Sequence, residues 1–175
     1  MKEFSKTRSM ALAGLCAAFT AVIAPWSLAI GPVSLTLGVL GVFFAGAMLR
    51  PGWAAAAMGA YLCLGAVGLP VFSNMGGGVQ MLAGMTGGYL WAYPLMAALL
   101  SWVCGKTGRL GLRLAGVLAG QAACYALGTA WFMQVTGSGL WAALAACVLP
   151  FVLPDFLKGL GALLLAGALQ KRLKL

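Results

Sequence analysis

Histidine is missing from this 175-residue chain, and only two carboxylates, Glu3 and Asp155, stand against eleven lysines and arginines. Five cysteines (Cys16, Cys63, Cys104, Cys124 and Cys147) are scattered with no close pair, so with no histidine beside them neither a metal site nor a disulfide framework is expected. No nucleophile with an adjacent base can be found either, which argues against an enzyme and against a resident cofactor. Charge of any sign is scarce, at 7% of residues where soluble domains carry about 25%. What fills the chain instead is apolar, 63% of residues, and that balance indicates an integral membrane protein. A net charge of +9 would suggest nucleic acid in a soluble protein, but here the basic residues sit in short clusters and offer no basic face. Nucleic acid is therefore not an expected partner.

Apolar runs separated by breakers predict an all-α fold, a single membrane domain over 1–175 built as a bundle of six transmembrane helices. The spans are read at about 10–30, 35–49, 53–69, 81–104, 112–133 and 151–169. Pro25 is expected to bend the first, while Gly31-Pro32 and Arg50-Pro51-Gly52 end the first two. The second is short for a crossing, and 139–149, ahead of Pro150, reads as a short surface piece rather than a seventh span. The basic N-terminus before an alanine-rich run has the look of a secretory leader, but the chain downstream is equally membrane-like, so this run counts as a span. Lys2, Lys6 and Arg8, then Arg50, then Lys106, Arg109 and Arg113, then Lys171, Arg172 and Lys174 alternate with loops that carry no Lys or Arg. By the positive-inside rule both termini are cytoplasmic, and 31–34, 70–80 and 134–149 are outer loops.

One basic residue escapes that pattern. Lys158 lies inside the last span, three residues after Asp155, and a charged Asp or Lys at the centre of a membrane helix costs about 2.5–3.5 kcal/mol on insertion scales. Such a pair is either an ion pair holding the bundle together or one wall of a binding site, and buried pairs are seldom net stabilisers. The outer loop 70–80 adds to the second reading. It is uncharged, carries Asn74 and Gln80, and contains three consecutive glycines up to Gly78, which let backbone approach a ligand or helix closely. Of the glycines at helical spacing elsewhere, Gly116 and Gly120 fit tight helix packing, while Gly84 and Gly88 either pack helices or continue the glycine enrichment of the loop into the span.

Four motifs in order carry a resemblance: Gly-Leu-Pro-Val-Phe at 68–72, the triple glycine at 76–78, Gly-x-Thr-Gly-Gly-Tyr-Leu at 84–90, and Pro-Phe-x-x-x-Asp-x-x-Lys at 150–158. With Pro-Val-Ser-Leu-Thr-Leu at 32–37, they make the chain similar over nearly its whole length to the BioY family. That family comprises biotin transporters, the membrane-embedded substrate-binding S components of energy-coupling-factor (ECF) transporters. The resemblance implies high-affinity biotin binding and uptake across a prokaryotic cytoplasmic membrane, as a multi-pass protein surrounded by membrane lipid. It also implies a separate energising module of two ATPase subunits and a transmembrane coupling subunit. Rival readings are an S component for another vitamin, a stand-alone biotin carrier, a membrane enzyme or a purely structural subunit. Gly105-Lys106-Thr107 matches only the end of a phosphate-binding loop, because residue 100 is leucine, and it reads as a cytoplasmic turn.

Asn74, Asp155 and Lys158 match the family's polar binding positions, and Tyr89, Gln80, Thr36 and Gly78 complete the expected substrate-contacting set. Met85 stands where the family usually has proline, and Thr36 near a position that is often glutamine. Biotin has a ureido head with two N–H donors and a carbonyl acceptor, an apolar ring and a carboxylate tail. Asp155 as acceptor and Asn74 as donor and acceptor suit the ureido group. Lys158 either meets the carboxylate or neutralises Asp155 across one helical turn, and the sequence leaves both open. Trp91 and Tyr93 are read either as ring-packing residues or as an interfacial belt. On the first span Ala13, Ala17 and Ala21 form a small-residue stripe, similar to the Ala-x-x-x-Ala pattern with which S components meet the coupling subunit; packing within the chain's own bundle is the alternative.

Overall fold

In the computed structural model, which describes residues 5–30 and 33–172, helix α1 (Lys6–Ile23) starts where the Ser5 hydroxyl accepts the Arg8 N–H at 3.3 Å. Lys2, Glu3, Lys174, the Gly31-Pro32 break and the two chain ends lie outside the described residues. Helix α1 stops at Ile23, with Ala24 as its cap, rather than bending at Pro25 and running on to 30. Pro25 has no N–H to continue the ladder, and its ring would clash with the carbonyl four residues back. The next residues instead pair as β1 (Ser27–Ile30) and β2 (Val33–Thr36), antiparallel, with Ser27 opposite Thr36 and Leu28 opposite Leu35. The all-α expectation is thereby corrected by one hairpin, built from Leu, Ile, Val and Thr around the expected breaker.

Thr36 fixes the exit from that hairpin. Its hydroxyl donates to the Ala24 carbonyl at 2.6 Å and accepts the Gly38 N–H at 2.9 Å, so it ties the end of α1 to the start of α2 (Gly38–Met48). Helix α2 is only 11 residues long and is buried from Gly41 to Met48. It runs through the centre of the bundle, packed on α1, α3 (Pro51–Ala66), α5 (Gly87–Lys106) and α8 (Val152–Arg172), which is why its sequence is apolar on every side. Pro51 opens α3 at the helix position where a missing N–H costs nothing.

The fourth predicted span is two helices, not one. Helix α4 (Val79–Ala83) ends at Gly84, whose extended backbone (φ −70°, ψ 178°) turns its carbonyl toward the Trp131 indole N–H at 2.9 Å, and α5 begins three residues later. Helix α6 (Leu110–Thr136) closes on Gly137 in the left-handed region, φ 68°, as many helices do. The short segment before Pro150 is helix α7 (Leu140–Cys147). Helices α5 and α6 touch through glycine: a Cβ on Gly120 would come within 3.0 Å of the Met96 carbonyl, and one on Gly116 within 2.9 Å of Val103. Helices α5, α6 and α8 are long and apolar enough to cross a membrane. Large apolar side chains such as Leu118, Leu127, Leu157 and Leu164 point out of the bundle, a surface suited to lipid and not to water.

Candidate functional site

At the end of the bundle that holds the hairpin, a cavity of about 330 Å³ lies beneath the 72–86 segment. That is within the roughly 300–1,000 Å³ typical of small-molecule sites. A smaller compartment of about 50 Å³ continues from it toward Asp155. The two share Val33, Ser34, Thr36, Tyr89 and Tyr93 as walls, so the hairpin forms one side of both and α5 the other.

The deep compartment ends in a chain of polar groups on two helices. Asp155 is 6% exposed and sits in the first turn of α8. Its Oδ1 accepts the Lys158 ammonium at 2.8 Å, and its Oδ2 accepts the Tyr125 hydroxyl at 2.9 Å. Tyr125 in turn accepts the Gln121 side-chain amide at 2.9 Å, and the same amide reaches the Val152 carbonyl at 3.0 Å. Gln121 and Tyr125 are one turn apart on α6, so this helix holds the carboxylate of α8 in a fixed orientation. A carboxylate has about four acceptor positions. Two on Asp155 are taken, which leaves it able to accept further N–H donors from the compartment it lines.

The outer compartment is closed by irregular backbone. Asn74 has left-handed torsions, φ 56° and ψ 39°, a conformation asparagine tolerates better than most residues. Its backbone N–H donates to Ser27 Oγ at 2.8 Å, its Oδ1 accepts from Ser27 Oγ at 2.9 Å, and its Nδ2 donates to Ser34 Oγ at 2.8 Å. Asn74 therefore latches the loop to both strands of the hairpin. Behind the loop, Phe72 is fully buried and meets Tyr61 edge-on at 5.5 Å, and Tyr61 stacks on Tyr93 at 6.4 Å. The Tyr61 hydroxyl holds the loop from below through the Val71 carbonyl at 3.0 Å.

Of the residues expected from sequence, Asn74, Gln80, Thr36 and Tyr89 line the outer compartment, and Thr36, Tyr89 and Asp155 line the deep one. Tyr89 is shared, with its hydroxyl 3.1 Å from Thr129 Oγ1. Lys158 lines neither and is turned to Asp155. Gly78 is not a wall residue: with φ 92° its N–H reaches the Gly65 carbonyl on α3 at 2.7 Å and anchors the glycine run. Gln80 folds back onto the Gly77 carbonyl at 2.8 Å. The aromatic alternative divides, since Tyr93 is buried against the cavity while Trp91 is exposed and donates to the Leu82 carbonyl at 3.1 Å. The α1 stripe turns the other way from a docking surface. Ala13 and Ala17 are buried in the chain's own core and Ala21 is half-buried, while Ala11, Gly14 and Ala18 are exposed.

Sequence reasoning missed Tyr125, Gln121, Ser27 and Ser34. A glutamine and a tyrosine four residues apart in an otherwise apolar span were a signal, because intramembrane polar groups seek partners. The two serines were not recoverable without the hairpin that sets them opposite Asn74.

The family model for the BioY family matches residues 1–175. The chain belongs to the BioY family. Among its relatives, a protein of Pyrococcus horikoshii called a probable biotin transporter BioY is 36% identical, with 94% of this chain and 98% of that protein aligned. The biotin transporter BioY of Thermotoga maritima is also 36% identical, over 94% of this chain and 96% of its own length. A crystal structure of the S-component for biotin from an ECF-type ABC transporter superposes with a TM-score of 0.86 over 98% of this chain and 95% of that one. Its sequence identity is 24%, and the likeness establishes a shared S-component fold.

Proposed function

We propose that this protein binds biotin and carries it across the cytoplasmic membrane as the substrate-specific subunit of an ECF transporter. The observation that carries the reading is the two-compartment cavity ending on a buried, pre-oriented Asp155. The family and its biotin-transporting relatives support it.

In this reading the ureido edge enters the deep compartment and its N–H groups donate to the free acceptor positions of Asp155. The opposite orientation would place the ligand carboxylate against Asp155, where like charges repel. Lys158 then steadies Asp155 instead of holding the tail. The ring system rests on Tyr89 and Tyr93, and the carboxylate tail meets neutral donors in the outer compartment, Asn74, Gln80 and Ser34 among them. Thr36 and Gly78 serve by shaping the hairpin and loop. The whole of 1–175 forms one membrane domain that crosses six times, with α4 and α5 together as the fourth crossing, both termini cytoplasmic and the cavity mouth outside. Energy comes from a separate module of two ATPase subunits and a coupling subunit. Docking to it uses the exposed small face of α1 at Ala11, Gly14 and Ala18, one face round from the stripe first expected; a Cβ on Gly14 would meet nothing within 4 Å.

Calorimetric titration of the purified protein tests the reading. Biotin should saturate a single site at submicromolar concentration, and thiamine should give no binding heat. Silence at micromolar biotin, or equal binding of thiamine, would remove biotin as the substrate.

A further inference from the structure

Helix α5 begins at the biotin cavity and carries the chain to Lys106 at the other end of the bundle. There a groove of about 500 Å³ opens between the end of α5 and the start of α6. Its walls are apolar, with Trp102, Leu112 and Ala115 prominent, and its rim carries Lys106 and Arg109. The rim is ordered by its own hydrogen bonds: Arg113 Nε donates to the Thr107 carbonyl at 3.0 Å, and Thr107 Oγ1 accepts the Arg109 N–H at 3.1 Å. The Lys106 ammonium lies 3.3 Å from the centre of the exposed Trp102 ring, a cation–π contact that seats its charge against the groove wall. Among the described residues the one carboxylate, Asp155, is closed inside the biotin cavity, and none faces this rim.

An apolar slot between two helices long and apolar enough to cross a membrane, with Lys106 and Arg109 at the helix ends that line it, matches a ligand with a negative head and a hydrocarbon body. We propose that this groove is a binding site for an anionic phospholipid, its phosphate held by Lys106 and Arg109 and an acyl chain lying along Leu112 and Ala115. The site rests on α5 and α6 crossing the membrane and is independent of what the cavity binds.

Native mass spectrometry of the detergent-purified protein, given phosphatidylglycerol or phosphatidylcholine with matched acyl chains, tests the site. Phosphatidylglycerol adducts should be at least about fivefold more abundant at equal collision energy, as expected where basic rim charges select an anionic head. Lys106→Gln with Arg109→Gln should bring them down to the phosphatidylcholine level. Ala115→Phe keeps every charge but fills the slot, and should reduce retention of both lipids. Gel filtration and circular dichroism establish that each variant is folded, so a failure of biotin binding would not disturb the reading. Equal retention of the two lipids by the wild-type protein would overturn the proposal, as would undiminished phosphatidylglycerol on the folded double variant. Displacement of the lipid by millimolar glycerol phosphate would also overturn it, since the acyl chain would then contribute nothing.

Discussion

The hairpin walls both compartments, but the deep one ends on side chains of two long helices, Tyr125 of α6 and Asp155 of α8, whereas the outer one is closed by a loop in left-handed backbone at Asn74. At the deep end each polar group is oriented by another that is itself held by a helix, as Gln121 holds Tyr125 and Tyr125 holds Asp155. At the mouth three hydrogen bonds converge on one asparagine and run from the loop to the two strands of the hairpin. In the proposed reading the difference separates two jobs. Recognition needs donors and acceptors fixed within tenths of an ångström, which rigid elements supply, while entry needs a segment that opens without unfolding the bundle, which a loop latched by a few bonds supplies.

If that division holds, substitutions at the two ends should differ in size and in kind. Asp155→Ala removes the carboxylate and leaves the half-buried Lys158 ammonium without its partner, so biotin affinity should fall at least about 100-fold, near 3 kcal/mol, in equilibrium binding. Asn74→Ala unlatches loop from hairpin and should weaken binding about tenfold, mainly through faster release in stopped-flow measurements. An effect as large as that of Asp155→Ala, with no change in release rate, would place Asn74 with the recognition end. Tyr125→Phe keeps the ring but removes one hydrogen bond to Asp155, and should cost about 1 kcal/mol, a factor of roughly five in affinity. Gly14→Trp lies on neither end: binding should stay within about twofold, the ordinary reach of a surface change, while ATP-driven biotin uptake in vesicles falls steeply.

The same two ends differ in how much of them could be read beforehand. Asp155 and Lys158 announced themselves, because two charges in an apolar run need a reason; helical spacing allowed their pairing across one turn without requiring it, and the structure supplies it. The spans around α6 and α8 were legible for a similar reason: length and hydropathy suffice once lipid is the solvent. The mouth was not. Hydropathy does not distinguish a helix that ends at Pro25 from one that bends there, and the two hairpin strands fall on the expected end of one span, the loop after it and the start of the next. The glycine run at 76–78 pointed to close backbone approach, yet its anchor on Gly65 is a long-range contact that no local pattern reports. The alanine stripe shows a further limit. Small residues mark a face for close packing, but with Ala13 and Ala17 on one side of α1 and Gly14 and Ala18 on the other, only the fold says which face is turned inward.

A structure of the protein with biotin bound decides whether Asp155 receives the ureido head. The ligand should extend through both compartments, with the ureido nitrogens within about 3.2 Å of the Asp155 carboxylate, the upper range for such bonds. Tyr125 and Lys158 should still hold that carboxylate, and the carboxylate tail should lie beneath the Asn74 latch. Biotin in the reverse orientation, with its tail on Lys158, or bound outside the cavity altogether, would contradict it.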